Sequence, residues 1–342
     1  MKSGHISSCF FLALVVLGLA VLSAAEEKPR EQRAKLLARA AEISDIRSQS
    51  APPFHLRARF RVLGPGDKPV DGTYFLTWNS PTRWREEIAL PGYNRLRVGG
   101  EGKFWQKRSV SYEPVRIHQL TRMLDFVSRL HIGPEDILGK ARQRRWNGGQ
   151  MTCIEVKPKA SAERQLCLDA ATGALVREEH PRGQMDGQSE IRAREYSQFL
   201  PWAGKTFPRT MRARGANKIL VEVRVDEIAP APNPDPSTFA PLAGAEEWPR
   251  CENPEPAVVE KQTLPGYPEN AKRNRMMGTV SVYAVIGTDG ALSHLTVVRS
   301  AGPDFDRATL EAVRGWRYRP MTCNAQPLPT ETIIDVAYSL AW

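Results

Sequence analysis

The sequence predicts an α+β protein of two modules, each built on an antiparallel sheet. Short stretches in which apolar and polar residues alternate recur from Phe54 onward. Turn residues join them, the pattern of strands that pair with their sequence neighbours. Helical periodicity is confined to a few segments. A proline-dense run from Ala229 to Pro256 admits neither a helix nor a central strand, and it divides the patterned chain in two. Four regions follow: residues 1–25, 26–240, 241–258 and 259–342.

Residues 1–25 predict a signal peptide. Lys2 precedes the apolar run "CFFLALVVLGLAVL" (Cys9 to Leu22), and the small residues Ser23 to Ala25 follow it, with cleavage expected after Ala25. The run is shorter than the roughly 20 apolar residues that span a membrane, so the expected location is the periplasm. An uncleaved inner-membrane anchor is the alternative.

In the first module, residues 30–48 are rich in Ala, Leu, Arg and Glu and predict a helix. Phe54, Leu56, Ala58, Phe60 and Val62 alternate with His55, Arg57, Arg59 and Arg61, which gives a half-buried strand with an arginine-rich outer face. Strands follow at 72–78, 82–90 and 94–98. Residues 114–130 and 134–146 read as helices, the second opened by Pro134. Six further strands are expected at 150–157, 164–169, 174–179, 189–198, 206–213 and 218–228. Residues 241–258 read as a linker.

The second module opens with a short helix after Tyr267-Pro268. Two strands around the turn Thr288–Gly290 come next, then a helix whose start Asp304 or Asp306 caps. Ala308, Ala312 and Trp316 mark its apolar face. "TETIIDVAYSLAW" is the last strand. The stretch "RGWRYRP" (Arg314 to Pro320) looks like a platform for nucleic acid, but residues 251–342 carry nine Lys/Arg against ten Asp/Glu. A polyanion-binding domain is clearly basic, so these residues read as the exit of the helix. The surplus of positive charge lies upstream, in residues 26–250.

After signal cleavage four cysteines remain: Cys153, Cys167, Cys251 and Cys323. An even number in an exported chain predicts disulfides, and neither CxxC spacing nor a histidine pair predicts a metal site. Three connectivities can be drawn. Cys153 and Cys167 fall in consecutive predicted strands, where a hairpin sets them opposite one another. The sequence lacks GxSxG, HExxH and Walker patterns, and its six histidines are scattered. We therefore expect no catalysis, no cofactor and no nucleic acid.

Tyr267-Pro268, Gly278-Thr279-Val280, Asp289-Gly290, "VVRSAG" (Val297 to Gly302) and "FDRATLEAVRGWRYRP" (Phe305 to Pro320) resemble the TonB C-terminal domain family. The resemblance implies a three-stranded antiparallel sheet with two helices. In members that energise outer-membrane transporters, this domain captures a periplasmic peptide by strand addition. It also implies a partner-binding strand at Ile333, Ile334, Asp335, Val336, Ala337 and Tyr338. Cys251 precedes this module and Cys323 lies just after its second helix, so local pairing is expected to join them and fasten the linker to the module. The long Pro-Lys/Pro-Glu spacer of energy transducers is missing.

The opening helix, the strand from Phe54 to Val62, "GTYFLTWNSPTRWREE" (Gly72 to Glu87) and the series ending at Pro241 resemble the LolA/LolB-type lipoprotein carriers. That likeness implies an antiparallel half-barrel with a helical lid over an apolar concavity. Trp78, Trp84, Phe104 and Trp105 are then either ordinary core or the lining of an acyl-binding concavity. The arginine-rich face is either a solvated surface or a site for anionic lipid or acidic envelope polymers. The expected function is partner binding at an envelope protein or peptide, joined to lipid or lipoprotein handling. The alternatives are a structural scaffold and a membrane-anchored energy transducer.

Overall fold

The computed structural model describes residues 29–64, 68–100, 102–158, 163–180, 191–215, 217–249, 251 and 254–340. The signal peptide expected at residues 1–25 lies outside them. Helix α1 (residues 29–44) precedes five strands, β1 (Phe54–Leu63), β2 (Pro69–Ser80), β3 (Arg83–Leu90), β4 (Tyr93–Gly100) and β5 (Lys103–Arg108). Helix α2 (Val115–Leu124) and a 3-10 turn (Phe126–Leu130) separate these from β6 (Ile137–Trp146), β7 (Gly149–Lys157), β8 (Arg164–Asp169) and β9 (Leu175–Glu179). The series ends with β10 (Ala193–Trp202), β11 (Lys205–Arg214) and β12 (Ile219–Pro230).

These twelve strands form two meanders joined where β1 pairs with β12. A thirteenth, β13 (Glu246–Pro249), adds to β5, so the sheet runs from β13 at one end to β6 at the other. Alternation decides which face is inside. Phe54, Leu56, Ala58, Phe60 and Val62 are all buried, and the arginines between them point outward. Leu37, Ala40 and Ala41 of α1 and Ile117, Leu120 and Met123 of α2 pack on that inner face. Phe126 seals the region against Tyr196 and Phe207, with ring centroids 5.0 and 5.7 Å away. Gly99 is required here: a Cβ would lie 2.3 Å from the Trp84 ring.

One expected element is corrected. Residues 137–146 are a strand, not a helix. Lys140, Arg142, Gln143, Arg144 and Arg145 favour helix intrinsically, but pairing with β7 along the sheet end overrides that preference. Residues 241–258 also carry more structure than a linker, because β13 lies within them.

After β13 come β14 (Pro254–Glu255), β15 (Val258–Lys261), α3 (Glu269–Arg273), β16 (Gly278–Ile286), β17 (Leu292–Arg299) and α4 (Pro303–Val313). The chain closes with β18 (Arg317–Arg319), β19 (Met321–Cys323), β20 (Gln326–Leu328) and β21 (Thr330–Tyr338). A three-stranded sheet in the order β17-β16-β21 stands over α4. Gly302, and not Asp304 or Asp306, is the N-cap of α4; Asp306 accepts instead from Ser300 Oγ and the Ala301 N–H. The buried stripe is Phe305, Thr309 and Val313. Trp316 lies beyond the helix end, buried in the same core, and its indole N–H donates to the Thr263 carbonyl at 2.9 Å.

Both disulfides are formed as expected. Cys153 and Cys167 are directly opposite in the β7–β8 ladder, with Cα atoms 3.9 Å apart. Cys251 joins Cys323 across 72 residues of chain.

Candidate functional site

The two edges of the small sheet differ. β21 pairs with β16 through nine consecutive residues, from Gly278 opposite Tyr338 to Ile286 opposite Thr330, without a register shift. No proline interrupts it. Among the described residues β16 is its one strand neighbour, so alternate N–H and C=O groups of β21 face outward. β17, on the other side of β16, has register shifts at Ser281/Val282 and at Tyr283/Val285, and His294 within it has φ +53°. Bulges twist an edge away from further pairing. β17 is therefore a poor template for an added strand, and β21 is a good one.

The structure holds β21 firmly from both faces. Ile334, Val336 and Tyr338 enter the core over α4. The Tyr338 ring lies 4.5 Å from Phe305 and 5.6 Å from Tyr267, and its hydroxyl shares a 2.8 Å hydrogen bond with Thr309. On the opposite face Ile333 is buried, and so is Asp335, which accepts from Ser281 Oγ and pairs with Arg299 at 3.4 Å. Of the six residues expected to bind a partner, Ala337 alone has an exposed side chain. What this strand can offer is its backbone edge.

The first turn of β21 meets the large sheet. Glu331 pairs with Arg108 at 2.7 Å, and it accepts from Gln106 at 3.2 Å and from the Tyr283 hydroxyl at 2.8 Å. Arg97 approaches it at 3.7 Å and also pairs with Glu113 at 3.3 Å. Glu113 further pairs with Arg95 at 3.0 Å, and Arg95 with Glu86. Burial alone would raise the Glu113 carboxyl, but Arg95 and Arg97 outweigh it and hold the group at about 2. Burial and the nearby Glu331 carboxylate push the Tyr283 phenol up. Sequence reasoning missed this network. In β4 the apolar Leu96 and Val98 mark the outer face, while Arg95 and Arg97 take the inner positions where apolar residues are expected.

The aromatic residues expected at a concavity divide between faces. Trp78, Trp84 and Phe104 share the inner face through the register Trp78–Trp84–Gly99–Phe104. Trp78 stacks on Phe54 at 6.4 Å, and Arg97 lies 5.9 Å from the Phe104 ring centre. Trp105 follows Phe104 and therefore points to the other face. A groove of about 920 Å³ lies on the outer face of the sheet, and a smaller one of about 210 Å³ between the end of α1 and the turn at 126–131. None of the four aromatics lines either groove.

Among the described residues no group of three His, Cys, Asp or Glu side chains could hold a metal ion, and no helix is long and apolar enough to cross a membrane.

Residues 263–340 match the family model of the Gram-negative bacterial TonB protein C-terminal. No curated protein matches the chain. Among solved structures it is similar to a LolA superfamily protein from Nitrosomonas europaea, with 11% identity and a TM-score of 0.37 over 60% of this chain and 96% of that one. A putative outer membrane lipoprotein-sorting protein domain from Vibrio parahaemolyticus gives 10% identity and a TM-score of 0.38 over 59% and 97%. A DUF1329 family protein from Desulfovibrio piger gives 12% identity and 0.44 over 62% and 97%. Both resemblances read from the sequence thus recur in the comparisons.

Proposed function

We propose that this is a non-enzymatic cell-envelope protein whose C-terminal segment captures an extended peptide of an envelope partner by strand addition to β21. The observation that carries this reading is the difference between the two edges of one sheet: β21 is regular and has an unpaired outer row, while β17 is bulged. Main-chain hydrogen bonds would supply affinity, and the side chains flanking the edge would supply selectivity. The match to the TonB C-terminal model and the two disulfides, which persist in oxidising compartments, support a periplasmic setting. In this reading the large sheet orients the edge through Glu331. Acyl-chain or lipoprotein carriage by its inner face would require α1 and α2 to leave the residues they now cover.

Photocrosslinking in the native envelope tests the proposal. A photoreactive residue at Ala337 should capture one extended segment of a partner, and the same residue at His294 on β17 should not. Equal capture at both edges, or none at Ala337, sinks the proposal and favours a scaffold without a peptide site. Thr332→Pro and Ala337→Pro sharpen the test, since neighbouring parities of a strand point their N–H groups to opposite sides. The variant whose N–H faces away from β16 should stay folded and no longer retain the captured partner in a pull-down from the envelope. Asp335 is unsuitable for this purpose because it is buried and paired.

A further inference from the structure

The outer face of the large sheet contains an arrangement that neither its core nor the β21 edge explains. Register places one residue from each of seven neighbouring strands in a single row. Asn94 stands opposite Ala89, Ala89 opposite Thr73, and Thr73 opposite Arg59. From Arg59 the row continues to Arg224, then to Thr210 and Ser197. Seven strands at about 4.8 Å spacing make the row roughly 29 Å long. Short side chains on both flanks leave the groove of about 920 Å³ that runs across the strands, near the top of the size range of ligand sites.

The centre of this row is electrostatically unfavourable. Arg59 and Arg224 are direct cross-strand neighbours, and like charges so placed repel. Asp226 engages Arg59 through both carboxylate oxygens, Asp71 holds Arg61, and Glu222 holds Arg212. Arg224 has no ion-pair or hydrogen-bond partner among the described residues, although it lines the groove. A second observation lies beside it. Gln198 has φ +55°, a left-handed conformation that is uncommon outside glycine. Its amide oxygen accepts from the Thr210 hydroxyl at 2.9 Å, within the groove.

We propose that this trough binds an acidic polysaccharide. Arg224 takes a carboxylate of the polymer, which a guanidinium group matches in fork geometry, while Arg59 stays paired with Asp226 beside it. The hydroxyls of Thr73 and Thr210 and the amides of Gln198 and Asn94 take sugar hydroxyls on either side. The lining carries Arg59, Arg61, Arg212 and Arg224 against Asp71 and Glu222, a small surplus of positive charge that suits a polymer with a carboxylate on only every second sugar. A single-stranded nucleic acid carries a charge on every nucleotide and stacks its bases on aromatic side chains. The Phe60 ring, the one aromatic in the lining, belongs to the core. This inference is independent of strand capture at β21.

Calorimetric titration of the full-length protein with a hyaluronate oligosaccharide, which carries a carboxylate on every second sugar, a neutral malto-oligosaccharide of equal length and a single-stranded oligonucleotide of equal charge tests it. The hyaluronate oligosaccharide should bind, more weakly as salt is raised, and the neutral sugar should not. Arg224→Gln, at an exposed position, should weaken binding at least about tenfold, the loss of one charge-assisted hydrogen bond. Thr73→Trp should abolish binding by filling the trough, while melting curves stay close to those of the parent. The proposal is overturned if the hyaluronate oligosaccharide does not bind, if Arg224→Gln binds it unchanged, or if the neutral sugar binds equally well. Equal affinity for the oligonucleotide also overturns it, since the face would then be a general anion surface.

Discussion

The large sheet and the three-stranded sheet that carries β21 treat their edges and their buried charges in opposite ways. The large sheet is blunted at both ends, by the short β13 with Pro249 on one side and by the cation-studded β6 on the other. It also buries charge deep in its core. Glu178 is fully enclosed, paired with Arg129 at 2.7 Å and Arg194 at 3.0 Å and next to His180 at 3.3 Å. The small sheet keeps one regular edge, and its charged residue nearest the large sheet, Glu331, remains partly open to solvent. Regularity at an edge is a hazard in an isolated sheet, and in the function proposed above this is the edge that receives the partner.

The largest effect is expected where charge is enclosed. Glu178→Ala leaves two arginines without their carboxylate and should destabilise the chain by about 3–5 kcal/mol. A denaturant midpoint close to that of the parent would break the comparison, because the cluster would then be no more structural than a surface pair. The same cluster fixes the pH dependence. Burial opposes the charged form of Glu178, but Arg129 and Arg194 dominate and depress it well below an ordinary carboxylate, while burial depresses His180. Both groups bind fewer protons folded than unfolded, so stability falls as pH drops. The melting temperature should decline below about pH 6.5 as His180 opposes protonation, and again below about 4.5 as Glu178 and Glu113 do. A flat profile between pH 7 and 3 contradicts this assignment.

Trp316→Ala comes next. Its ring closes the core beneath the small sheet, and truncation should cost about 3–5 kcal/mol. An unchanged thermal midpoint would mean that α4 and β21 hold the edge without it. Glu331→Gln is the smallest. Arg108 and Glu331 are only 7% and 17% exposed, so removing the charge of their shared acceptor should cost about 1–3 kcal/mol. Hydrogen exchange should quicken at β5 and β16, where Gln106, Arg108 and Tyr283 keep an acceptor oxygen but lose its charge. If exchange is unaltered, the two sheets are held by something other than Glu331.

Much of this was legible in the sequence, for physical reasons that also mark the limits. The strand from Phe54 to Val62 could be read because one of its faces is wholly apolar. The Cys153–Cys167 hairpin could be read because two residues opposite in a ladder leave a short loop between them. β6 could not, since Lys, Arg and Gln prefer helix and only the partner β7 makes them a strand. Periodicity pointed the wrong way in β4, where arginines fill the inner face and Leu96 and Val98 the outer. On α4 the alanines at 308 and 312 obscured the true stripe of Phe305, Thr309 and Val313. The candidate edge was placed correctly as a strand, but its burial from both sides was not foreseen, nor was its ionic contact with the large sheet.

The bridge between Cys251 and Cys323 has a mechanical consequence. A partner held on β21 and drawn away applies tension near the end of the chain. Only six residues separate Thr330 from Cys323, and the bridge carries the strain straight to Cys251, two positions from the strand anchored on β5. The polypeptide from 252 to 322, with α3, β16, β17 and α4, lies off that path. A pull therefore reaches the large sheet along a short covalent route, and the small module can be tugged without being unravelled. Once the bridge is reduced, the same force must run through the whole of the module that holds the partner.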